Sequence, residues 1–197
     1  FYKTAHKMLG AAVNPKLHDS DLLIKDIAKD LGKEKDFEPA KVAVFFGEAG
    51  KTVKDPYFNG KGPDRKGCIH CGACMTGCRY NSKNTLDKNY LYLAQQLGTK
   101  IIAEKEVFNV SVLGSEDGSD GYKVEYKSSI GKKAKASITT KGVIFSGGVM
   151  GTVPLLLKLK NSTLPNLSDA VGKNIRTNNE SLLLVTSTDK YSKDFSK

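Results

Sequence analysis

Hydrophobic positions repeat with two different periods along this chain, and the change from one to the other outlines the fold. From Asp21 to Leu31 the residues Leu23, Ile24, Ile27, Ala28 and Leu31 fall on one face at helical spacing. Ser20 or Asp21 suits the N-cap and Gly32 the stop, and residues 1–36 as a whole read as helical. Val42-Ala-Val-Phe-Phe46 is a short unbroken apolar run, which predicts a buried strand. Residues 47–67 hold five glycines and two prolines and read as one long loop. A second amphipathic helix is expected from Leu86 to Leu97, with Leu86, Tyr90, Leu93, Ala94 and Leu97 as its stripe. Asn84 or Thr85 would cap it, Asp87 favours the positive end of its dipole, and Gly98 ends it.

Beyond residue 100 the period shortens to that of strands. Lys100–Val112, Tyr122–Lys127 and Ala136–Thr140 are separated by Gly/Ser/Asp/Lys-rich turns. They predict a three-stranded antiparallel meander feeding a more buried strand at Val143–Ser146. That strand opens Val143-Ile-Phe-Ser-Gly-Gly-Val-Met-Gly-Thr152, followed by a helix with Leu155, Leu156, Leu157 and Leu159. Glycines at a strand-to-helix turn let the backbone approach a phosphate or dinucleotide. A tightly packed β–α turn explains the same residues without a ligand. The fold class is α+β.

Length and composition narrow the function. At 197 residues the chain is one large domain or one and a half small ones, long enough for a core without disulfides. No apolar run approaches the roughly 18 residues of a membrane helix. No secretory signal opens the chain, which leads to the expectation of a cytoplasmic protein, and the missing initiator Met suggests an excised or processed piece. The formal charge of +10 invites a nucleic-acid reading. Of the basic residues, however, only Arg65, Arg79 and Arg176 are arginines, the type that reads phosphates and bases through a two-pronged fork. The lysines are scattered, so a solvated surface is preferred and no nucleic-acid partner is expected.

All four cysteines lie in Cys68-Ile-His-Cys71-Gly-Ala-Cys74-Met-Thr-Gly-Cys78, a C-x2-C-x2-C-x3-C run. This is the spacing of ferredoxin cluster loops, and Gly72, Ala73 and Gly77 let the backbone wrap closely. Three readings compete: a 4Fe-4S cluster, a zinc site, or disulfides and free thiols bracing a loop. The cluster is placed ahead of zinc, with Cys68, Cys71, Cys74 and Cys78 as candidate ligands. Two details count against it. The fourth Cys of such a run usually serves a second cluster, and Arg79 stands where a proline normally follows.

Four segments in order resemble the glucose–methanol–choline (GMC) oxidoreductases, within them the cholesterol-oxidase-like branch. They are Lys83-Asn-Thr-Leu-Asp-Lys-Asn-Tyr-Leu91, Glu106-Val107-Phe108, the stretch Val143 to Thr152, and Leu164-Pro-Asn-Leu-Ser-Asp-Ala-Val-Gly-Lys-Asn174. The resemblance covers residues 80 to 180 well and the first 67 loosely. It implies part of a glutathione-reductase-type FAD domain, made of the meander and the strand–helix turn, with part of an α+β substrate domain. Residues 1–67 would belong to the substrate domain, 68–82 form the four-Cys loop, 83–180 belong to the FAD domain, and 181–197 return to the substrate domain with a strand near Ser181–Thr188. Val107 matches the backbone contact to adenine. Ser146, Gly147, Gly148 and Gly151 match the turn near the cofactor.

The family's G-x-G-x-x-G fingerprint and its late catalytic His are both absent, and His6, His18 and His70 do not match that position. No catalytic residue is therefore assigned. The resemblance implies the middle of an FAD-dependent alcohol oxidoreductase, inactive alone, whose substrate is a sterol or another bulky apolar alcohol and whose electron acceptor is unknown. The four-Cys loop departs from the best-known members, and a cluster there could relay electrons from the flavin. The alternatives are a small iron–sulfur or zinc module without flavin, and a basic interaction domain with a braced loop.

Overall fold

The computed structural model describes residues 1–179, and these divide into two units, residues 1–101 and 102–179. Residues 181–197, with the strand expected near Ser181–Thr188, lie outside the described residues. The first unit is assembled from short pieces. They are helix α1 (Tyr2–Met8), strand β1 (Ala12–Val13), helix α2 (Asp19–Asp30), strands β2 (Lys41–Val42), β3 (Thr52–Val53) and β4 (Arg65–Lys66), and helix α3 (Tyr90–Gln96). β1 pairs antiparallel with β2, and β3 with β4.

Helix α2 starts at Asp19, one residue before Ser20, the first of the two expected caps. His18 is the N-cap, and Asp21, at the third helical position, accepts the His18 backbone N–H at 2.8 Å. Gly32 ends it in a left-handed conformation (φ +67°), as expected. Its apolar stripe is not buried: Leu23, Ile24, Ile27 and Leu31 are exposed.

Three expectations are corrected here. Val42–Phe46 is not one strand, because its backbone turns after Val42. The Phe45 N–H bonds to the Ser82 carbonyl at 2.8 Å, and the Asn84 and Cys68 N–H groups bond to the Ala43 and Phe45 carbonyls. The run thus becomes the support of the cysteine segment. Residues 47–67 are not one loop either, since β3 and β4 form a ladder within them. The connection between these strands is organised by Asp55, whose carboxylate accepts the N–H groups of Tyr57, Phe58, Gly60 and Gly62 at 2.9–3.0 Å. Burial raises the Asp55 pKa, but the four N–H donors outweigh it and hold the carboxyl below its ordinary value.

The helix expected over Leu86–Leu97 is broken. A 3-10 turn at Leu86–Lys88 stops at Asn89 (φ −135°, ψ −95°), whose Oδ1 caps α3 by accepting the Tyr90 N–H at 2.6 Å. Asn89 is 1% exposed, and its cap on the Tyr90 N–H starts a new helix where the turn ends.

The second unit holds the meander. Strands β5 (Lys105–Val112), β6 (Tyr122–Ser128) and β7 (Lys135–Thr140) lie in the order β5-β6-β7, antiparallel throughout, and helix α4 (Val149–Lys160) packs on β5. Val110, Val124 and Leu159 form the buried core, with Val143, Phe145, Leu155 and Leu164 packed against it. Val143–Ser146 is extended but joins no ladder among the described residues, against expectation. Its side chains still alternate as in a strand: Val143 and Phe145 face the core, while Ile144 is 91% exposed.

Candidate functional site

Two places collect the residues singled out by sequence. The first lies in the second unit, where β5 forms an edge of the sheet. Its register shifts between Val107, opposite Tyr126, and Asn109, opposite Glu125, so Phe108 is the extra residue of a β-bulge. Lys158 of α4 donates to the Phe108 carbonyl at 3.1 Å, and the Lys135 ammonium sits 5.4 Å from the centre of the Phe108 ring. Beside the bulge, Val107, Ser146, Gly147 and Gly151 line one cavity of about 720 Å³, together with Lys105, Lys158 and Phe145. Gly148 is not on that wall. It is the N-cap of α4 and takes φ +75°, a conformation that suits glycine.

The two remaining glycines are informative because nothing among the described residues requires them. Neither Gly147 nor Gly151 has a left-handed backbone. A Cβ on Gly151 would meet nothing within 4 Å, and one on Gly147 would meet only Thr152 Oγ1 at 3.5 Å. Their bare backbones border open space, which suits close approach by a flat or phosphorylated ligand. Helix α4 starts here with no acidic residue in its first turn, so its positive end is left uncompensated.

The second place is the cysteine segment. All four cysteines are free, and all four line one cavity of about 420 Å³ with Phe46, Tyr80, Ser82 and Lys83. Left-handed residues at His70, Gly72, Gly77 and Asn81 coil the segment. Cys68 and Cys78 are half-buried, and their sulfurs accept the backbone N–H groups of His70 and Ser82, each at 3.3 Å. Cys71 and Cys74 are exposed. Burial, then the neighbouring thiols of Cys68, Cys78 and Cys71, raise the Cys74 pKa. Burial also pushes Cys78 up, but N–H donors of Ser82, Lys83 and Tyr80 reverse the effect, and its pKa is lowered.

This arrangement does not bear out the expected metal centre. Among the described residues no group of three or more His, Cys, Asp or Glu side chains is placed to hold a metal ion. Two of the sulfurs, on Cys68 and Cys78, accept backbone N–H groups, while Cys71 and Cys74 belong to exposed residues. The iron–sulfur and zinc expectations at Cys68, Cys71, Cys74 and Cys78, and the electron relay built on them, thus find no support among the described residues.

Comparison with known proteins decides the family. Residues 59–179, more than half of the chain, match the family model described as GMC oxidoreductase. The chain belongs to the GMC oxidoreductase family. It is 46% identical over 190 residues to a cholesterol oxidase of Acinetobacter baumannii, covering 92% of this chain and 34% of that protein. It is 40% identical over 191 residues to a cholesterol oxidase of Mycobacterium tuberculosis (strain ATCC 25618 / H37Rv), covering 92% and 32%. The chain thus spans about a third of the length of these relatives. No solved structure gives a significant match. GMC oxidoreductases are FAD-dependent. No helix among the described residues is long and apolar enough to cross a membrane.

Sequence reasoning missed the most buried charge of this GMC segment. Arg65, 1% exposed, donates to Asn81 Oδ1 (3.0 Å), the Lys83 carbonyl (2.8 Å) and Asn84 Oδ1 (2.6 Å). Asn84 in turn donates to the Leu9 carbonyl and to the Tyr57 hydroxyl. The one available signal was Arg65 itself, an arginine in a chain whose positive charge is almost all lysine. His70 was also missed: it stacks on Phe46 with 5.7 Å between ring centres.

Proposed function

We propose that this chain is the central part of an FAD-dependent oxidoreductase acting on a CH–OH donor, a sterol or another bulky apolar alcohol. The observation that carries the reading is the convergence of Val107, Ser146, Gly147 and Gly151 on one cavity beside the β5 bulge. Edge strand β5 offers Val107 backbone groups to the rim of a heterocycle, and the glycines admit it closely. The cationic side chains of Lys105 and Lys158 on the same wall suit a phosphorylated ligand. When bound, FAD supplies the acceptor for the hydride leaving the carbinol carbon as the alcohol becomes a carbonyl. The base that takes the hydroxyl proton is assigned outside this chain, so residues 1–197 alone do not turn over.

Within this reading residues 83–180 contribute to the flavin domain, while 1–67 and 181–197 contribute to the substrate domain. The names of the relatives favour a sterol, and the electron acceptor is not specified by any residue here. Four unpaired thiols suit a reducing compartment, which supports a cytoplasmic location.

The test is anaerobic reduction of the full-length protein. A sterol added to the purified protein should bleach a flavin absorbance band, and a non-hydroxylated sterol ester should not. A protein that purifies with no flavin and takes none up, or a flavin untouched by every alcohol tried, contradicts the proposal.

A further inference from the structure

Helix α4 and the turn after it hold the main chain on both sides of the cavity by Val107. At the helix start the Thr152 hydroxyl oxygen accepts the Gly147 N–H at 3.1 Å. Farther along, the Lys158 ammonium donates to the Phe108 carbonyl at 3.1 Å, across 50 residues of sequence. Just past the helix, the Thr163 hydroxyl donates to the Val110 carbonyl at 2.5 Å. Phe108 is the extra residue of the β5 bulge, the one place where the β5–β6 register slips. An extra residue of this kind has no partner opposite it, so the ladder alone does not fix its backbone. Here Lys158 and Thr163 fix it from the helix side, at the bulge and two residues beyond it. Lys158 has no ion pair among the described residues. Glu106, the carboxylate on the cavity wall, is paired with Lys127 at 3.0 Å instead.

We propose that Lys158 and Thr163 are positioning residues for the flavin cofactor, acting through β5 to set the direction of the Val107 main chain. The inference rests on the flavin reading above. A main-chain contact to a rigid heterocycle needs its geometry held to about 0.5 Å, and an edge strand with a bulge does not supply that by itself. Lys158 lines the cavity, and its charge suits a phosphate as well. Thr163 is neutral and is not among the residues lining that cavity. Any effect of Thr163 on the cofactor therefore passes through the backbone, which separates positioning from charge. Thr152 does the corresponding work on the opposite rim by holding Gly147.

The experiment measures the FAD dissociation constant of deflavinated, full-length protein by quenching of flavin fluorescence, with melting curves of the same apoproteins. Lys158→Met should weaken FAD binding at least about 10-fold and Thr163→Val about 5-fold, the scale of one lost hydrogen bond. Lys158→Arg keeps a charged donor and should recover most of the affinity. Ser115→Ala removes a hydroxyl bond to Asp120 in the same unit, at a residue not lining the cavity, and should leave the affinity unchanged. Wild-type affinity in Thr163→Val would overturn the inference, as would lower melting points with no loss of affinity in Lys158→Met and Thr163→Val. Both results would leave the flavin reading standing. A wild-type protein that takes up no FAD would overturn the inference and the flavin reading together.

Discussion

Replacing Arg65 by Met removes the charge that organises the exit of the cysteine segment while keeping a side chain of similar length. Three hydrogen bonds disappear, to Asn81 Oδ1, the Lys83 carbonyl and Asn84 Oδ1, all in a region where Arg65 is 1% exposed. Bonds to a charged donor contribute about 1.5–3 kcal/mol each, and an acceptor left buried without a partner costs about 1–3 kcal/mol. Against this, Arg65 is a buried cation bonded to no carboxylate, so its removal relieves desolvation. Allowing for that relief and for non-additivity, the net loss is about 3 kcal/mol. A loss of that size corresponds to roughly 100-fold faster local opening. Amide hydrogen exchange in the full-length protein reads it directly: peptides spanning residues 65–67 and 81–84 should lose protection, while those from β5–β7, in the other unit, should not. Arg65→Lys should fall in between, because an ammonium cannot reproduce the forked geometry. Unchanged exchange at residues 81–84 in Arg65→Met would refute the reasoning.

Two further perturbations probe the frame around the cysteines. Asp55→Ala leaves four N–H groups without their acceptor and should destabilise by about 2 kcal/mol at pH 7, since water reaches some of them. The folded-state pKa of Asp55 is depressed, so its contribution is full above the unfolded value of about 4 and fades as pH falls through the folded one. Melting curves of wild type and Asp55→Ala should therefore converge below about pH 4, and a constant gap down to pH 2 would contradict the assignment. Gly67→Ala places a Cβ onto the backbone carbonyl of Glu48, which cannot move without breaking the hydrogen bond it accepts from the Lys51 N–H, and Gly67 is itself held by bonds with Gly50 and Lys51. It should destabilise by at least about 2 kcal/mol and raise iodoacetamide labelling of Cys68, and a neutral melt would show that the segment has slack.

What could be read from the sequence follows from how local each determinant is. The meander was legible because alternation and turn residues act over a few positions: β6 and β7 appear where they were expected, and β5 ends there but starts at Lys105 rather than Lys100. The meeting of Val107 with Ser146, Gly147 and Gly151 was legible only through family resemblance, since 39 residues separate Val107 from Ser146 and no local pattern joins them. The break at Asn89 was hidden because the stripe from Leu86 to Leu97 keeps helical spacing across it, and the cap that restarts the helix is made by one side chain. The β3–β4 ladder was hidden by the glycines and prolines that surround it, whose turns Asp55 closes. The spacing of the four cysteines suggested convergence on a metal. The four residues do share one cavity, and what spacing could not show is that backbone N–H groups hold the sulfurs of Cys68 and Cys78.

The central claim is that Val107 and the bare-glycine turn form part of a flavin site. The most direct test is the flavin-to-protein ratio of the folded, full-length enzyme in wild type, Val107→Ala and Val107→Pro. Alanine keeps the backbone of edge strand β5 and removes only side-chain packing. Proline removes the N–H and fixes φ near −65°, so any main-chain contact is lost. The account predicts flavin in wild type, slightly reduced retention in Val107→Ala and almost none in Val107→Pro. Equal flavin content in the folded fractions of both variants would contradict it.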